Sequence, residues 1–401
     1  MKSYRAKLML ISFLTYMIMA GLLTQVGIII DPMAKYLGVP ITEAASTFSY
    51  LTGGTLLGTI ISMIAYSKFE IRDVLRFNYL FFLVILVLII FFNFQSIVVV
   101  SLYLLVIGAC CGIGLSGGAV IISKIFNEEK RASAFIATDC AFSAAGFIFP
   151  SLTSFLIVQG VTWMGGYAIV GIIVFFVFLS TFFFQYPKET PTDKTESNAY
   201  PALYANFKSI INVRVILSGT ALGLYLLAQT TFLTWAPNYL QEVFQLSSQE
   251  SSLAVSNYWG PSIFGLITAA ILVNKFSARY LLVIILFIAI LVTAFLNITT
   301  SATAFLYTTV LFGFFTSAIY KIGISIGSQQ IQNAPAILVT FLLTCGGIGS
   351  TAAPAFSAFF VSNFGVHSAM VITTIAFVVV CILFIICLLL EKQTVKNLQH
   401  L

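Results

Sequence analysis

Three ionisable side chains, Asp31, Asp139 and Lys321, stand within or at the edge of long apolar runs, where each could carry a proton or hold a gate. A charge inside a bilayer is costly, so such a residue reads first as functional. Asp139 is followed by Ser143, Gly146 and Pro150, and Lys321 is framed by Gly313, Ser317, Ser325 and Ser328. Steps of three and four residues put each set on one helix face, and small residues there let another helix approach. At 1.5 Å per residue, both charges lie roughly 10 Å in from the same end of their runs. The expectation is that Asp139 and Lys321 face each other, pair when that side closes and part when it opens. Protonation of Asp139 would cancel the attraction. In the simpler alternative, Lys321 snorkels to the interface and Asp139 bonds a neighbouring helix. Asp31, between Ile30 and Pro32, is either a gate carboxylate at the opposite mouth or a solvated helix-end acid.

Neutral candidates for binding a solute are Thr24 and Gln25, then Tyr225, Gln229 and Trp235, then Asn257 and Trp259. Amides with aromatic faces suit a hydroxyl-rich solute. Trp235 reads equally as an anchor at the membrane interface. Lys321 also admits an anionic cargo, such as an organic acid or a chelator. Metal chemistry is not expected. The six cysteines (Cys110, Cys111, Cys140, Cys345, Cys381, Cys387) sit in apolar runs without CxxC spacing, and His367 and His400 are far apart. No cofactor is implied. Without a GxxxxGK[ST] loop there is no ATP motor, and without a nucleophile–base set there is no case for an enzyme. The glycine-rich stretches at 111–114 and 346–349 fall inside apolar runs and read as helix packing.

The elements that must position these residues follow from composition. Of 401 residues, 60% are hydrophobic and 8% charged, where a soluble domain carries about 25% charged residues. Twelve apolar runs, near 8–30, 47–66, 76–93, 97–123, 132–157, 162–184, 214–239, 252–274, 279–298, 302–328, 336–361 and 367–390, are each close to the roughly 20 residues that a bilayer crossing needs. The expected class is an all-α membrane protein with twelve transmembrane helices. Lys and Arg gather in alternate loops: at the amino terminus, Lys68–Arg76, Lys124–Arg131, Lys188–Arg214, Lys275–Arg279 and the carboxyl terminus. The other loops hold only Lys35. That asymmetry places both termini in the cytoplasm. It also accounts for the net charge of +6 without nucleic acid. The polar stretch 185–211 divides the chain into bundles 1–184 and 212–401.

The two halves repeat at an offset of about 203–208 residues. Gly108, Ser116, Gly118 and Ser123 fall on Gly313, Lys321, Gly323 and Ser328, Gln25 falls on Gln229, and the segment from Pro150 falls on that from Pro354. A duplicated six-helix unit is the plan of the major facilitator superfamily, with its substrate site between the halves. Thr138-Asp139, Phe142-Ser143, Ala145-Gly146 and Ile148-Phe149-Pro150 resemble the fifth-helix pattern of TsgA-type transporters in that superfamily. Gly313–Tyr320, Gly327–Gln330 and Leu343–Gly346 resemble its tenth and eleventh helices. Lys321 departs from the pattern, which has an uncharged residue there. The loop Ser67–Asp73 departs from the superfamily's usual glycine-rich Asp-Arg loop. The resemblance implies a bacterial inner-membrane carrier, distantly similar to fucose–proton symporters. Its partners would be a small-molecule solute, protons and the lipid bilayer, and it would act as a monomer importing its cargo. The rival readings are proton-exchange efflux of a metabolite, drug or chelator and, behind both, a non-transporting receptor or enzyme.

Overall fold

The computed structural model describes residues 2–92, 94–126, 128–187, 212–273, 275–331 and 336–399. The expected linker at 185–211 lies, from residue 188 onward, outside the described residues. Fourteen helices and no strand occur among the described residues. They are α1 (Lys2–Leu23), α2 (Val26–Leu37), α3 (Ile41–Lys68), α4 (Ile71–Phe91), α5 (Ile97–Ile125), α6 (Glu128–Val158), α7 (Gly165–Phe183), α8 (Val213–Phe244), α9 (Ser248–Val273), α10 (Ala278–Ile298), α11 (Ala302–Thr316), α12 (Ile319–Ser328), α13 (Ala336–Phe364) and α14 (His367–Gln399).

Two expected runs are broken, and the breaks have a local cause. Between α1 and α2, the Gln25 amide donates to the Gly21 carbonyl, and Thr24 Oγ1 donates to the Ala20 carbonyl at 2.8 Å. Side chains thus compete for the carbonyls of the helical ladder, a recognised source of kinks. Pro32 then withholds one N–H inside α2. Between α11 and α12, the Thr316 carbonyl accepts from the Tyr225 hydroxyl at 2.9 Å, and the Gly313 carbonyl accepts from Ser262 Oγ at 3.1 Å. With α1–α2 and α11–α12 each counted as one broken crossing, the described residues make twelve crossings. Among the described residues, eleven helical stretches are long and apolar enough to span a membrane by composition. The twelfth crossing, α9, carries the weakly apolar run Ser256-Asn257-Tyr258-Trp259-Gly260-Pro261-Ser262 in its middle, which dilutes its hydropathy, but its 26 residues reach about 39 Å. Its start is fixed by a capping box. Ser247 Oγ accepts from the Glu250 N–H at 3.2 Å, and the Glu250 carboxylate accepts from the Ser247 N–H at 3.0 Å.

The crossings form two six-helix bundles, α1–α7 and α8–α14, whose packing repeats. α3 lies along α5 so closely that a Cβ on Gly54 would collide with the Leu105 carbonyl, and one on Gly108 with the Leu51 carbonyl. The second bundle does the same between α9 and α11, where Gly265 meets the Phe314 carbonyl and Gly313 the Tyr258 carbonyl. The Gly108–Gly313 match is therefore a match of backbone contacts. The basic side of each bundle is also tied in the same way. Arg76 at the start of α4 donates to the Thr181 carbonyl at 2.7 Å, and Arg279 at the start of α10 pairs with Glu391.

The bundles are joined chiefly by α3 with α13, α6 with α9, and α2 with α8, and α2 also touches α9. The Ala355 N–H donates to Ser49 Oγ at 3.0 Å. Ser256 Oγ donates to the Phe147 carbonyl at 2.9 Å, which leaves Ser151 to donate to Ser256 at 2.9 Å. Gly146 lies under the Trp259 ring, and Gly27 lies against the carbonyls of Leu233 and Thr234.

Candidate functional site

Asp139 sits on α6 and Lys321 on α12, in different bundles, and the structure brings them together. Lys321 Nζ is 3.0 Å from Asp139 Oδ2, with the lysine side chain 53% and the carboxylate side chain 21% exposed. The stripe that carries Asp139 does face the other bundle. Gly146 admits Trp259, whose ring also meets Phe142 edge-on at 5.1 Å. On α12, the exposed residues Lys321 and Ser325 form one row that Gln329, just past the helix end, continues, while Ile322, Gly323 and Ile326 are buried. Tyr16 of α1 hydrogen-bonds Thr138 and stands beside Asp139. A half-solvated ion pair contributes only about 0.2–1 kcal/mol. The helix packing around α6–α9 and α3–α13 therefore does more to hold the bundles together than this ion pair does.

A second polar cluster lies within the carboxyl-terminal bundle, around the α11–α12 break. Gln229 Nε2 donates to the Tyr258 hydroxyl at 2.6 Å and approaches that of Tyr225 at 3.4 Å. Thr316 Oγ1 donates to the Phe312 carbonyl at 2.6 Å, so the Tyr258 hydroxyl, 3.0 Å from that oxygen, is the donor to it. Tyr320 stacks on Tyr225 with ring centres 6.2 Å apart, and it is the residue next to Lys321. The ion pair and the glutamine cluster are thus one aromatic pair apart. Gln229 is only half buried.

The other candidates are placed elsewhere. Gln25 is fully buried inside its own bundle. Its amide donates to the Gly21 and Gly166 carbonyls, and its Oε1 accepts from Thr153. Thr24 is bound to Ala20 in the same helix. Trp235 Nε1 donates to Ser357 Oγ at 2.8 Å, and Asn257 Nδ2 to the Leu306 carbonyl at 3.3 Å, both within the second bundle. Asp31 pairs with Lys35 at 2.7 Å on the face away from the termini. Trp259 Nε1 is buried without a hydrogen-bond partner, which leaves a donor at the boundary between the bundles. Sequence reasoning missed Tyr258 and Thr316, although the neighbours Asn257 and Trp259 were marked. It also missed Ser151 and Ser256, whose hydroxyls meet across the boundary.

The chain matches the family described as Major Facilitator Superfamily over residues 8–335 and again over 224–400. The TsgA homologue of Buchnera aphidicola subsp. Baizongia pistaciae is 30% identical over 396 residues, covering 98% of each chain. TsgA of Escherichia coli O9:H4 is 28% identical over 401 residues, covering 99% of this chain and 98% of that one. The chain belongs to the TsgA-type branch of the Major Facilitator Superfamily. Among solved structures, the nucleoside transporter NupG superposes with a TM-score of 0.74 at 15% identity, over 96% of this chain and 99% of that one. A D-xylose–proton symporter gives 0.73 at 15% identity, over 95% and 97%. At that identity the likeness establishes the facilitator fold. The protein is a multi-pass membrane transporter, and the boundary crossed by Asp139 and Lys321 is the one between the two halves of a facilitator.

Proposed function

We propose that this TsgA-type facilitator is a proton-coupled importer of a small polar solute, working by alternating access with the Asp139–Lys321 pair as its proton-sensitive gate. The observation that carries this reading is the ion pair between the halves, 3.0 Å long and partly open to solvent. An ionised Asp139 attracts Lys321 and favours the arrangement seen here. A proton on Asp139 removes that attraction and lets α6 and α12 part. The energy at stake is small, which suits a step that must reverse in every cycle. Gln229, held by Tyr258 and half exposed, is the preferred solute contact, with Tyr225 behind it. The solved relatives include a nucleoside transporter and a D-xylose–proton symporter. A hydroxyl-bearing solute suits the amide and phenol groups gathered here as well.

In this reading the arginine-bearing face and both termini are cytoplasmic in a bacterial inner membrane, as the distribution of Lys and Arg favours. Residues 1–184 and 212–401 move as two bodies joined by 185–211, and the protein needs no cofactor. The test is uptake into proteoliposomes, with and without an inward proton gradient, using labelled sugars, nucleosides, organic acids and siderophores. The expected result is gradient-dependent accumulation that Asp139→Asn abolishes. An Asp139→Asn protein that still concentrates cargo would remove this residue as the proton carrier. Release of a preloaded compound in exchange for protons, without uptake, would favour efflux.

A further inference from the structure

In the first bundle, a groove of about 770 Å³ opens outward between α3 and α4. These helices are consecutive but scarcely touch, because α3 is drawn onto α5 at Gly54 and Gly58 while α4 packs on α5 and α7. Leu57, Ile61 and Phe69 form one wall and Phe77 and Phe81 the other, and all five are exposed. Leu105 and Ala109 of α5 make the floor. The lining is apolar apart from Asp73 at the basic end and Asn78, whose amide is spent on the Cys110 carbonyl at 2.8 Å. An outward apolar groove on a membrane-spanning bundle faces lipid, and only hydrocarbon restores the contacts that its walls lack.

Length and charge narrow the occupant. From Leu57 to Lys68, α3 rises about 17 Å, close to the depth of one leaflet, which is half of a hydrocarbon core of about 30 Å. The groove therefore ends at the basic face just where a headgroup would begin. The loop Ser67–Asp73, which departs from the superfamily's usual pattern, forms that mouth. Lys68, Arg72 and Arg76 outnumber Glu70 and Asp73 there, and the arginines already engage both carboxylates. Arg72 lies 3.1 Å from Asp73 and 3.7 Å from Glu70, and Arg76 lies 3.9 Å from Asp73. Lys68, exposed at the end of α3, is left without a carboxylate partner among the described residues.

We propose that this groove binds one acyl chain of a phospholipid with a net negative headgroup, whose phosphate accepts from the Lys68 ammonium. The chain lies along Ile61, Phe77 and Phe81. A zwitterionic headgroup brings its own cation to a mouth whose carboxylates are taken, and so it binds less tightly. The whole lining comes from α3, α4 and α5 and the segment joining the first two. The site therefore stands independently of the proton-coupling reading, whose residues are on other helices.

The test uses the purified full-length protein, delipidated in detergent and titrated with dioleoylphosphatidylglycerol or dioleoylphosphatidylcholine, with bound lipids counted by native mass spectrometry. The first phosphatidylglycerol should bind about fivefold more tightly than the first phosphatidylcholine, the effect expected of one unpaired cation near the membrane surface. Lys68→Gln should bring the two lipids close to parity. Lys392→Gln, on the same face near the end of α14, should leave the preference intact. Both lysines are exposed, so these variants test the headgroup contact without disturbing the core. Ala65→Phe, which fills the groove from α3, should weaken the first phosphatidylglycerol about tenfold or more, since it displaces several methylene contacts. Equal affinities for the two lipids in the unmodified protein would overturn the proposal. So would an equal loss of preference in Lys392→Gln, which would make the attraction general to the basic face. A folded Ala65→Phe protein that binds the first phosphatidylglycerol unchanged would put the lipid outside the groove and overturn it too.

Discussion

Removing the Lys321 ammonium while keeping Asp139 separates two roles that the ion pair could have. If the pair mainly holds the fold, Lys321→Met should cost stability. If it gates, transport should suffer and stability should not. With the lysine side chain 53% exposed, the loss in stability should stay within about 1 kcal/mol. The expected outcome is a melting temperature close to that of the unmodified protein with uptake at least tenfold lower, read by thermal unfolding and proteoliposome flux on the same sample. A large drop in melting temperature would make the pair structural. Both charges could be found in the sequence because ions are rare in apolar runs and these two share a depth. The glutamines show where that method stops. Gln25 and Gln229 occupy equivalent places in the repeat, yet one is enclosed by Gly21, Thr153 and Gly166 while the other reaches Tyr258 and stays half exposed. Which neighbour an amide meets depends on helix rotation, and a residue's identity does not encode that.

At the scale of elements, the glycine contacts of α3 with α5 and of α9 with α11 decide how close these helices lie. Gly108 rests against the backbone carbonyl of Leu51, which cannot rotate away as a side-chain tip could. Gly108→Val should therefore force the pair apart, with overpacking costs of about 1–3 kcal/mol or more. Gly347→Ala should be mild, because its neighbour is the end of the flexible Leu56 side chain. Yield of monodisperse protein in detergent and its melting temperature would check both. Loss of folded protein in Gly347→Ala but not in Gly108→Val would contradict this account. The crossings themselves were legible to within a few residues, because each apolar run was as long as the bilayer requires. The breaks at Thr24–Gln25 and Ser317–Ala318 were not. Tyr225 and Ser262 reach the α11 carbonyls from other helices, so no pattern within the run itself announces that break.

For the molecule as a whole, the question is whether the halves move, and Ser151 with Ser256 offers a direct handle. Their hydroxyl oxygens are 2.9 Å apart across the boundary. In a background with the six native cysteines replaced, Ser151→Cys with Ser256→Cys should cross-link under mild oxidant. Transport should stop and return on reduction. Efficient cross-linking with undiminished flux would mean that α6 and α9 do not separate during the cycle. The two-bundle plan was readable from the repeat, whereas the contacts between bundles were not, because serines and glycines are common throughout such helices. The three tryptophans are unequally placed with respect to that boundary. Trp163 is boxed in by Tyr36 and Tyr167 of its own bundle, and Trp235 is tied to Ser357 of its own. Trp259 instead lies over Gly146 and against Phe142 of the opposite bundle. The protein thus carries an intrinsic fluorophore at the seam between its halves, with two others whose ring and hydrogen-bond partners lie in their own bundle. A shift of its emission on adding cargo or protons would report separation of the halves without any attached dye, and a constant spectrum through transport would mean that this seam stays closed.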